Sequence, residues 1–311
     1  MRVPGYWARR EFTHTAADGD AFVRSALGWS YTDQADADRM AEARAERAAR
    51  AAVRDGTTFR TPAEWEADPD RLHDAYYAGM PLHEPVLESV DVDGECVGLI
   101  TRNRYGCRVL NADRVLFADV DLAPPWLRLP ERGLLRRLID AVWIRPAPPP
   151  PPSAGPGSRL EQRTLDRIAA WHTAAPGSAL RVYRTFAGLR LVLVDRQYDP
   201  AEPATLDVLR ALDSDPLYVQ LTRRQECFRA RLSPKPWRIG VRVPSHPSQI
   251  DHPDYPEKLA EWAGPYEAEA AGYATCRLVG VFGEPARDPV IERVVELHDR
   301  HTLSPGDKPL A

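Results

Sequence analysis

The spacing of apolar residues predicts helices in the first part of the chain. Residues 33–56, "DQADADRMAEARAERAARAAVRDG", begin with an aspartate, continue with strong helix formers and end at Gly56, which is typical of a helix. A second, shorter helix is predicted for residues 61–79, with Thr61 as its N-cap and Pro62 in its first turn. Residues 1–85 are therefore interpreted as an N-terminal helical region.

Near residue 86 the pattern changes to an alternation of apolar and polar positions. Such alternation predicts strands, and the turn sequences "DG", "NRYG" and "NAD" predict that successive strands run antiparallel. The predicted strands are 86–91, 96–102, 107–111 and 114–121. In "VLFADVDL", residues 115–122, the alternation places Asp119 and Asp121 on the same face. We expect an antiparallel meander that ends on this pair of carboxylates.

A proline-rich stretch interrupts the regular elements. Residues 146–157, "PAPPPPPSAGPG", cannot pack as helix or sheet and predict a disordered loop, which follows a short helix predicted at 130–143. Regular patterns return after the loop. The predicted elements are a helix at 158–174, strands at 179–186 and 189–195, helices at 203–212 and 215–232, a strand at 236–243, a helix at 254–273 interrupted near Gly264-Pro265, a strand at 274–283 and a helix at 288–302.

The order of these elements predicts an α+β fold. If strand 114–121 is counted first, the order is the split βαβ order of a ferredoxin-like or RRM-like palm, an antiparallel sheet with helices on one face. Residues 86–311 would form this domain together with C-terminal helices. Its first and third strands are antiparallel neighbours, so Gly188 and Arg190 should lie beside the carboxylate pair. Lys235 and Arg238 precede the fourth strand and should lie at the same edge.

Two interpretations of the carboxylate pair follow from charge alone, because two like charges on an apolar strand need compensation. In the first, Asp119 and Asp121 hold Mg²⁺ or Mn²⁺, hard cations that prefer oxygen ligands and leave positions for the phosphates of a nucleotide. In the second, the pair forms salt bridges with Arg190 and Arg238 and is structural.

Two short motifs resemble those of the archaeo-eukaryotic primase and primase-polymerase superfamily. "VLFADVD" is similar to the first motif of that family, and "RTFAGLRLVL" is similar to the second, with Thr185 and Gly188 in place. The resemblance covers residues 110–245 and implies an RRM-like palm in which Asp119 and Asp121 bind metal while the second motif contacts nucleotide phosphates. It also implies nucleotidyl transfer as the reaction class.

The chain departs from the family pattern at two points. Arg190 occupies the histidine position of the second motif, and arginine is a permanent cation with a different geometry. The third acidic ligand of the family has no clear counterpart, and Asp251 is the one candidate. A two-metal centre needs its full set of ligands to clamp the attacking and leaving oxygens.

A basic segment follows the second motif. Residues 223–242, "RRQECFRARLSPKPWRIGVR", combine cations with interleaved aromatic residues, as a groove for single-stranded nucleic acid does, although a basic helix face followed by an ordinary strand has the same composition. The candidate phosphate-binding residues there are Arg229, Lys235 and Arg238, next to Arg231 and Trp237.

The net charge, the cysteines and the hydropathy of the chain narrow its possible functions and its possible location in the cell. The net charge of −4 excludes a chain that binds nucleic acid through its overall charge, so such binding needs a local patch. Four cysteines form no CxxC pair, and no segment approaches the length of a membrane span, so we expect a soluble cytoplasmic protein without a membrane partner. Cys227 lacks a nearby base, and His298 with His301 lacks a third metal ligand.

Together these features predict a protein that binds a nucleotide or nucleic acid, DNA or RNA, with Mg²⁺ or Mn²⁺ at Asp119 and Asp121. Thr185, Gly188, Arg190, Arg229, Lys235 and Arg238 are its candidate phosphate-binding residues. A divergent primase-polymerase-like nucleotidyltransferase is the enzyme consistent with it. The alternatives are a non-catalytic binding or scaffold protein on a degenerate palm, and a metal-dependent phosphoesterase.

Overall fold

The computed structural model describes residues 1, 3–15, 19, 21–54, 80–122, 157–244, 250, 254–304 and 307–311. The chain divides into two compact units, Arg2–His83 and Glu84–Ala311, the second of which also includes Met1. The predicted helices 61–79 and 130–143 and nearly all of the proline-rich stretch 146–157 lie outside the described residues.

The N-terminal unit contains a hairpin as well as a helix. Strands β1 (Tyr6–Thr15) and β2 (Ala21–Ser30) pair antiparallel, and helix α1 (Gln34–Arg54) packs against both. The helix confirms the prediction for residues 33–56, and the Asp33 carboxylate accepts a hydrogen bond from the N–H of Asp36 at 2.7 Å. The prediction that this region is wholly helical is wrong, because it overlooked the two strands.

Small residues let α1 approach the hairpin closely. Its buried alanines recur every four residues and form one face, namely Ala37, Ala41, Ala45 and Ala49. A Cβ atom at Gly28 of β2 would clash with the backbone of Ala37 and Ala41. The helix therefore lies directly on the strand backbone.

The larger unit contains two four-stranded antiparallel sheets and five described helices. Its strands are β3 (Val86–Val92), β4 (Glu95–Arg102), β5 (Arg108–Ala112), β6 (Phe117–Asp121), β7 (Leu180–Thr185), β8 (Gly188–Leu193), β9 (Phe228–Arg231) and β10 (Cys276–Phe282). Its helices are α2 (Arg159–Ala174), α3 (Pro203–Ala211), α4 (Pro216–Gln225), α5 (Tyr255–Ala270) and α6 (Pro289–Thr302). The strand orders are β3-β4-β5-β9 and β10-β7-β8-β6.

The predicted pairing around the carboxylates is confirmed. Strand β6 pairs antiparallel with β8, so that Asp119 lies opposite Arg190 and Asp121 lies opposite Gly188. Strand β7 pairs with the other side of β8, so β8 lies between β6 and β7, and α2 comes between these two strands in the sequence. The predicted meander is only partly correct, because β3, β4 and β5 form it while β6 belongs to the other sheet.

The second half of the predicted palm differs from the structure. Residues 236–243 form no strand but a 3₁₀ turn at Pro236–Arg238, and β10 pairs with β7 at the edge away from β6. The helix predicted for 215–232 ends at Gln225, where Glu226 adopts φ 50°, and the chain continues as β9 in the other sheet. Among the described residues, no strand hydrogen-bonds to the second edge of β6.

The core of the larger unit lies around the sheet that carries the carboxylates. All six residues of β8 are buried, as are Phe117, Ala118 and Val120 of β6. The helices contribute Ile168 from α2 together with an apolar stripe of α6. No helix within the described ranges has the length and apolarity needed to cross a membrane.

Candidate functional site

Asp119 and Asp121 lie at the end of β6, between buried apolar neighbours. The Asp119 side chain is 39% exposed and Asp121 is exposed, whereas Ala118 and Val120 are buried. The backbone carbonyl of Asp119 accepts hydrogen bonds from the N–H of Asp215, at 2.8 Å, and from the hydroxyl of Ser214. The start of α4 therefore fixes the strand at the position of the first carboxylate.

Arg190 neutralises Asp119 from inside the protein. Its Nε donates to Asp119 Oδ1 at 3.0 Å, and its side chain is only 1% exposed. Burial alone would lower the pKa of Arg190, but the nearby charge of Asp119 raises it above its usual value. Arg190 is therefore a permanent cation paired with Asp119, and the structure does not present it to a phosphate.

The turn between β7 and β8 brings the second motif against Asp121. A Cβ atom at Gly188 would clash with the carbonyl oxygen of Val120, so only glycine allows the two strands to approach this closely. The Thr185 hydroxyl accepts a hydrogen bond from the N–H of Gly188 at 3.2 Å. Thr185 and Gly188 thus lie beside the carboxylate pair, where they shape the turn.

Three basic residues form what we call the cation cluster, namely Arg231, Lys235 and Arg238, and the last two interact with Asp121. Arg231 ends β9, Lys235 precedes the 3₁₀ turn and Arg238 is the last residue of that turn. Each of the last two feels the positive charge of Arg231 and the opposite charge of Asp121. Within the described ranges, none of the three forms a salt bridge, and Arg231 Nε is buried without a hydrogen-bond partner.

The electrostatics of the cation cluster are unfavourable without an anion. Burial, followed by repulsion from Arg231 and Arg238, lowers the pKa of Lys235 to about 7. Burial and repulsion from Arg231 also lower the pKa of Arg238 to about 9. Asp121 opposes both shifts but does not cancel them. A bound anion would relieve this repulsion.

Aromatic rings border the cation cluster. Lys235 Nζ lies 5.2 Å from the centre of the Trp237 ring, and the Arg238 guanidinium lies 4.2 Å from that of Phe186. Tyr105, from the turn between β4 and β5, meets Trp237 edge-on at 5.3 Å. These rings contact the cations without neutralising them.

The remaining sequence candidates lie in other environments. Arg229, a predicted phosphate ligand, is buried and forms an ion pair with Glu84 at 2.6 Å and a hydrogen bond to Gln225. Burial raises the pKa of Cys227 to about 11, so its thiol stays protonated and is a poor nucleophile. Asp251, the candidate third acid, lies outside the described residues.

Two features of the site could not be singled out from the sequence. Arg231 was only one of several cations in the basic segment, and Phe186 was an unremarked residue of the second motif. The alternation of Arg231 with buried Ala230 would indicate a strand, but only once the end of α4 is known. Phe186 carries no chemical signal until the turn places it over Arg238.

Asp119 and Asp121 are better suited to a cation that is also bound by the phosphate of a ligand than to a cation bound by protein side chains alone. Asp119 Oδ1 already accepts a hydrogen bond from Arg190. No group of three metal-ligating side chains occurs among the residues searched, which are the described ones. Mg²⁺ commonly takes one or two carboxylates and completes its shell with substrate phosphates and water. Asp119 and Asp121 could supply these carboxylates.

Comparison of the chain with protein-family models, with curated proteins and with solved structures found no match. The resemblance to primase-polymerases therefore depends on the two motifs and on the way they meet.

Proposed function

We propose that this protein binds a nucleotide, or the end of a nucleic-acid chain, together with Mg²⁺ or Mn²⁺. The observation that supports the proposal most strongly is the cation cluster, which has three positive charges, no salt bridge among the described residues and a carboxylate strand beside it. In this proposal Lys235, Arg238 and Arg231 hold phosphate oxygens, while Asp121 and Asp119 hold the cation. The adjacent rings of Trp237 and Tyr105 suit a ligand that also carries a base.

The proposal includes a divergent palm. The meeting of the two motifs across β6 and β8, with β7 on the far side, supports an origin in the primase-polymerase class. Four cysteines without disulfides are compatible with the cytoplasmic location that we propose.

Binding without catalysis is favoured by the ion pair of Asp119 with the buried Arg190. The Asp119 oxygen that accepts a hydrogen bond from Arg190 is less able to bind a second metal ion. A two-metal transfer reaction needs both metal ions. Nucleotidyl transfer is therefore the second candidate. It would require the metal to activate a hydroxyl and to neutralise the leaving pyrophosphate. Pyrophosphate release from nucleoside triphosphates, abolished in Asp121→Asn, would establish it.

The binding proposal is tested with a fluorescent ATP analogue and Mn²⁺. The chain has only three lysines, Lys235, Lys258 and Lys308, so Lys258→Met is a matched control on an exposed helix face. Loss of a charge-assisted hydrogen bond costs about 1.5–3 kcal/mol, so Lys235→Met should weaken binding by roughly 10- to 100-fold. Asp121→Asn should remove the dependence on Mn²⁺.

The outcomes are separable. If Lys235→Met and Arg238→Met weaken binding while Lys258→Met does not, the cation cluster holds the phosphates. If all three variants bind like the wild type, or if the wild type shows no binding at millimolar Mn²⁺ and nucleotide, the proposal is wrong. Thermal unfolding of the wild type gives an independent readout, because ligand at 100 times its Kd stabilises the fold by about 2.7 kcal/mol.

A further inference from the structure

A chain of buried polar side chains leads from the C-terminal helix to the carboxylate pair. His298 of α6 is fully buried, and its Nε2 lies 3.5 Å from Nη1 of Arg190. Its Nδ1 lies 3.0 Å from Oδ1 of Asp299. Arg190 in turn donates to Asp119 at 3.0 Å. Four side chains on three elements are thus linked in sequence.

The far end of this chain is fixed by two further donors. The Tyr183 hydroxyl donates to Asp299 Oδ1 at 2.7 Å, and Arg181 Nη2 donates to Asp299 Oδ2 at 2.7 Å. Both donors lie on β7, in the same sheet as Arg190. Asp299 is therefore held in one orientation, and it can hold His298 in turn.

The direction of each hydrogen bond follows from the chemistry of the groups. A guanidinium has only donors, so Nε2 of His298 must be the acceptor toward Arg190. The ring proton is then on Nδ1 and is donated to Asp299. Burial lowers the pKa of His298 to about 4, which keeps the ring neutral and able to accept. The tautomer follows from these partners.

We infer that His298 and Asp299 are positioning residues that orient Arg190 so that its Nε–H meets Oδ1 of Asp119. The second side of the guanidinium is fixed by the Arg231 carbonyl, which accepts from Nη1 at 2.8 Å. With Oδ1 occupied, a cation would use the other oxygen of Asp119, so the orientation of Arg190 sets the orientation of this ligand. The consequence for cation binding rests on the proposed function, whereas the orientation of Arg190 does not.

The test uses variants of His298 in the full chain. His298→Phe retains an aromatic ring but cannot accept a hydrogen bond, while His298→Gln offers an amide oxygen in its place. His301→Gln is the control, since His301 lies on the same helix and forms no hydrogen bond among the described residues. Asp299→Leu, which cannot accept a hydrogen bond from His298, provides a second variant in case His298→Phe does not fold.

Two quantities are measured for each variant. The first is the exchange of the Arg190 Nε–H with water, followed by NMR in arginine-labelled protein, and it needs no ligand. The second is the Kd for Mn²⁺ with the fluorescent nucleotide. We expect fast exchange and a Kd raised about 10-fold or more in His298→Phe, as for residues that orient metal ligands, and recovery of both in His298→Gln. His301→Gln should match the wild type.

The contrary results are equally definite. Slow exchange of the Arg190 Nε–H in His298→Phe or, if that variant does not fold, in Asp299→Leu would overturn the inference. Fast exchange with an unchanged Kd would overturn its consequence for the site and leave a purely structural network. If the wild type binds neither Mn²⁺ nor nucleotide, the proposed function fails, and the exchange measurement alone decides the positioning of Arg190.

Discussion

Asp119 and Asp121 are two residues apart on one strand, yet their surroundings differ. Asp119 is paired with a buried arginine, whereas Asp121 is exposed beside the cation cluster. The alternation of the sequence placed both on one face, and this is correct. Which of the two would pair with Arg190 depended on the partner strand, and the sequence allowed either outcome. Only the register of β6 against β8 selects Arg190 as the partner of Asp119.

The ion pair of Asp119 leads to a stability prediction. Asp119→Asn leaves the buried Arg190 without its counter-charge, and a charged group that loses its partner costs about 1–3 kcal/mol. Because Asp119 is 39% exposed, water compensates part of the loss, and the cost stays below that of a fully buried pair. Urea unfolding measures it. The control is Asp207→Asn, which breaks an exposed helix pair and should change stability by about 0.5 kcal/mol or less.

Equal stability of the Asp119→Asn and Asp207→Asn proteins would contradict the structural role of the ion pair. It would mean that the remaining acceptors around Arg190, chiefly the carbonyl of Arg231, are sufficient to hold it.

Lys235 leads to a prediction about pH. Its pKa is about 7 in the folded protein, well below the usual value for lysine, so between pH 7 and pH 9 this side chain binds more protons in the unfolded chain than in the folded one. The contribution of Lys235 to stability should therefore rise with pH in this range, by at most about 1.4 kcal/mol per pH unit. Lys235→Met should remove this rise and raise stability at pH 7.

Urea unfolding at pH 7, 8 and 9 tests the prediction, with Lys258→Met as the control that keeps the wild-type slope. The same slope in the wild-type and Lys235→Met proteins would show that Lys235 is not held in an unfavourable charged environment.

At the level of elements, the sequence predicted helices and strands best where a single local pattern defines the element. Alternation located the strands of the meander, β6 and β8, and caps located α2 and α6, whose Ser158 and Asp288 side chains accept hydrogen bonds from the first turn. The failures share a cause. Glu226 ends α4 in a left-handed conformation that glycine usually adopts. Because no glycine marks this helix end, the helical pattern of the sequence continues into β9.

Two other elements differ from the prediction. Pro265 predicted an interruption, yet α5 continues through it from Tyr255 to Ala270. Residues 236–243 alternate like a strand, but Pro236 begins a 3₁₀ turn and Gly240 follows with a positive φ of 75°. The second difference affects the candidate site, since the 3₁₀ turn places Lys235 and Arg238 in the cation cluster.

Gly188 provides a prediction at this scale. A methyl group there would meet the carbonyl of Val120, and β6 and β8 would have to separate where the two motifs meet. We expect Gly188→Ala to destabilise the fold by about 1–3 kcal/mol, the usual cost of overpacking. Gly5→Ala is the control. A Cβ atom at Gly5 would meet no atom within 4 Å and the backbone there has no positive φ, so alanine should change stability by about 0.5 kcal/mol or less.

Thermal unfolding of both glycine variants gives the comparison. If Gly188→Ala were as stable as the wild type, β6 and β8 would not be in close contact, and the meeting of the two motifs would lose its support.

For the whole molecule, the net charge did not indicate where positive charge is concentrated. A net charge of −4 conceals the local excess of positive charge around Lys235. The division near residue 84 coincides with the change of pattern at residue 86, but the hairpin of the N-terminal unit was not expected. Strand pairing between distant segments, such as β5 with β9, is not encoded in local periodicity and could not be inferred.

The contacts of Arg190 have a consequence for how the larger unit unfolds. One guanidinium contacts Asp119 on β6, the backbone of Arg231 on β9, Cys276 on β10 and His298 on α6, so it joins both sheets and the last helix. A partly open form that lost any of these elements would leave a charge in apolar surroundings with too few acceptors. Such intermediates are penalised, so the Arg190 side chain adds to the shared apolar core in coupling the two sheets into one cooperative unit.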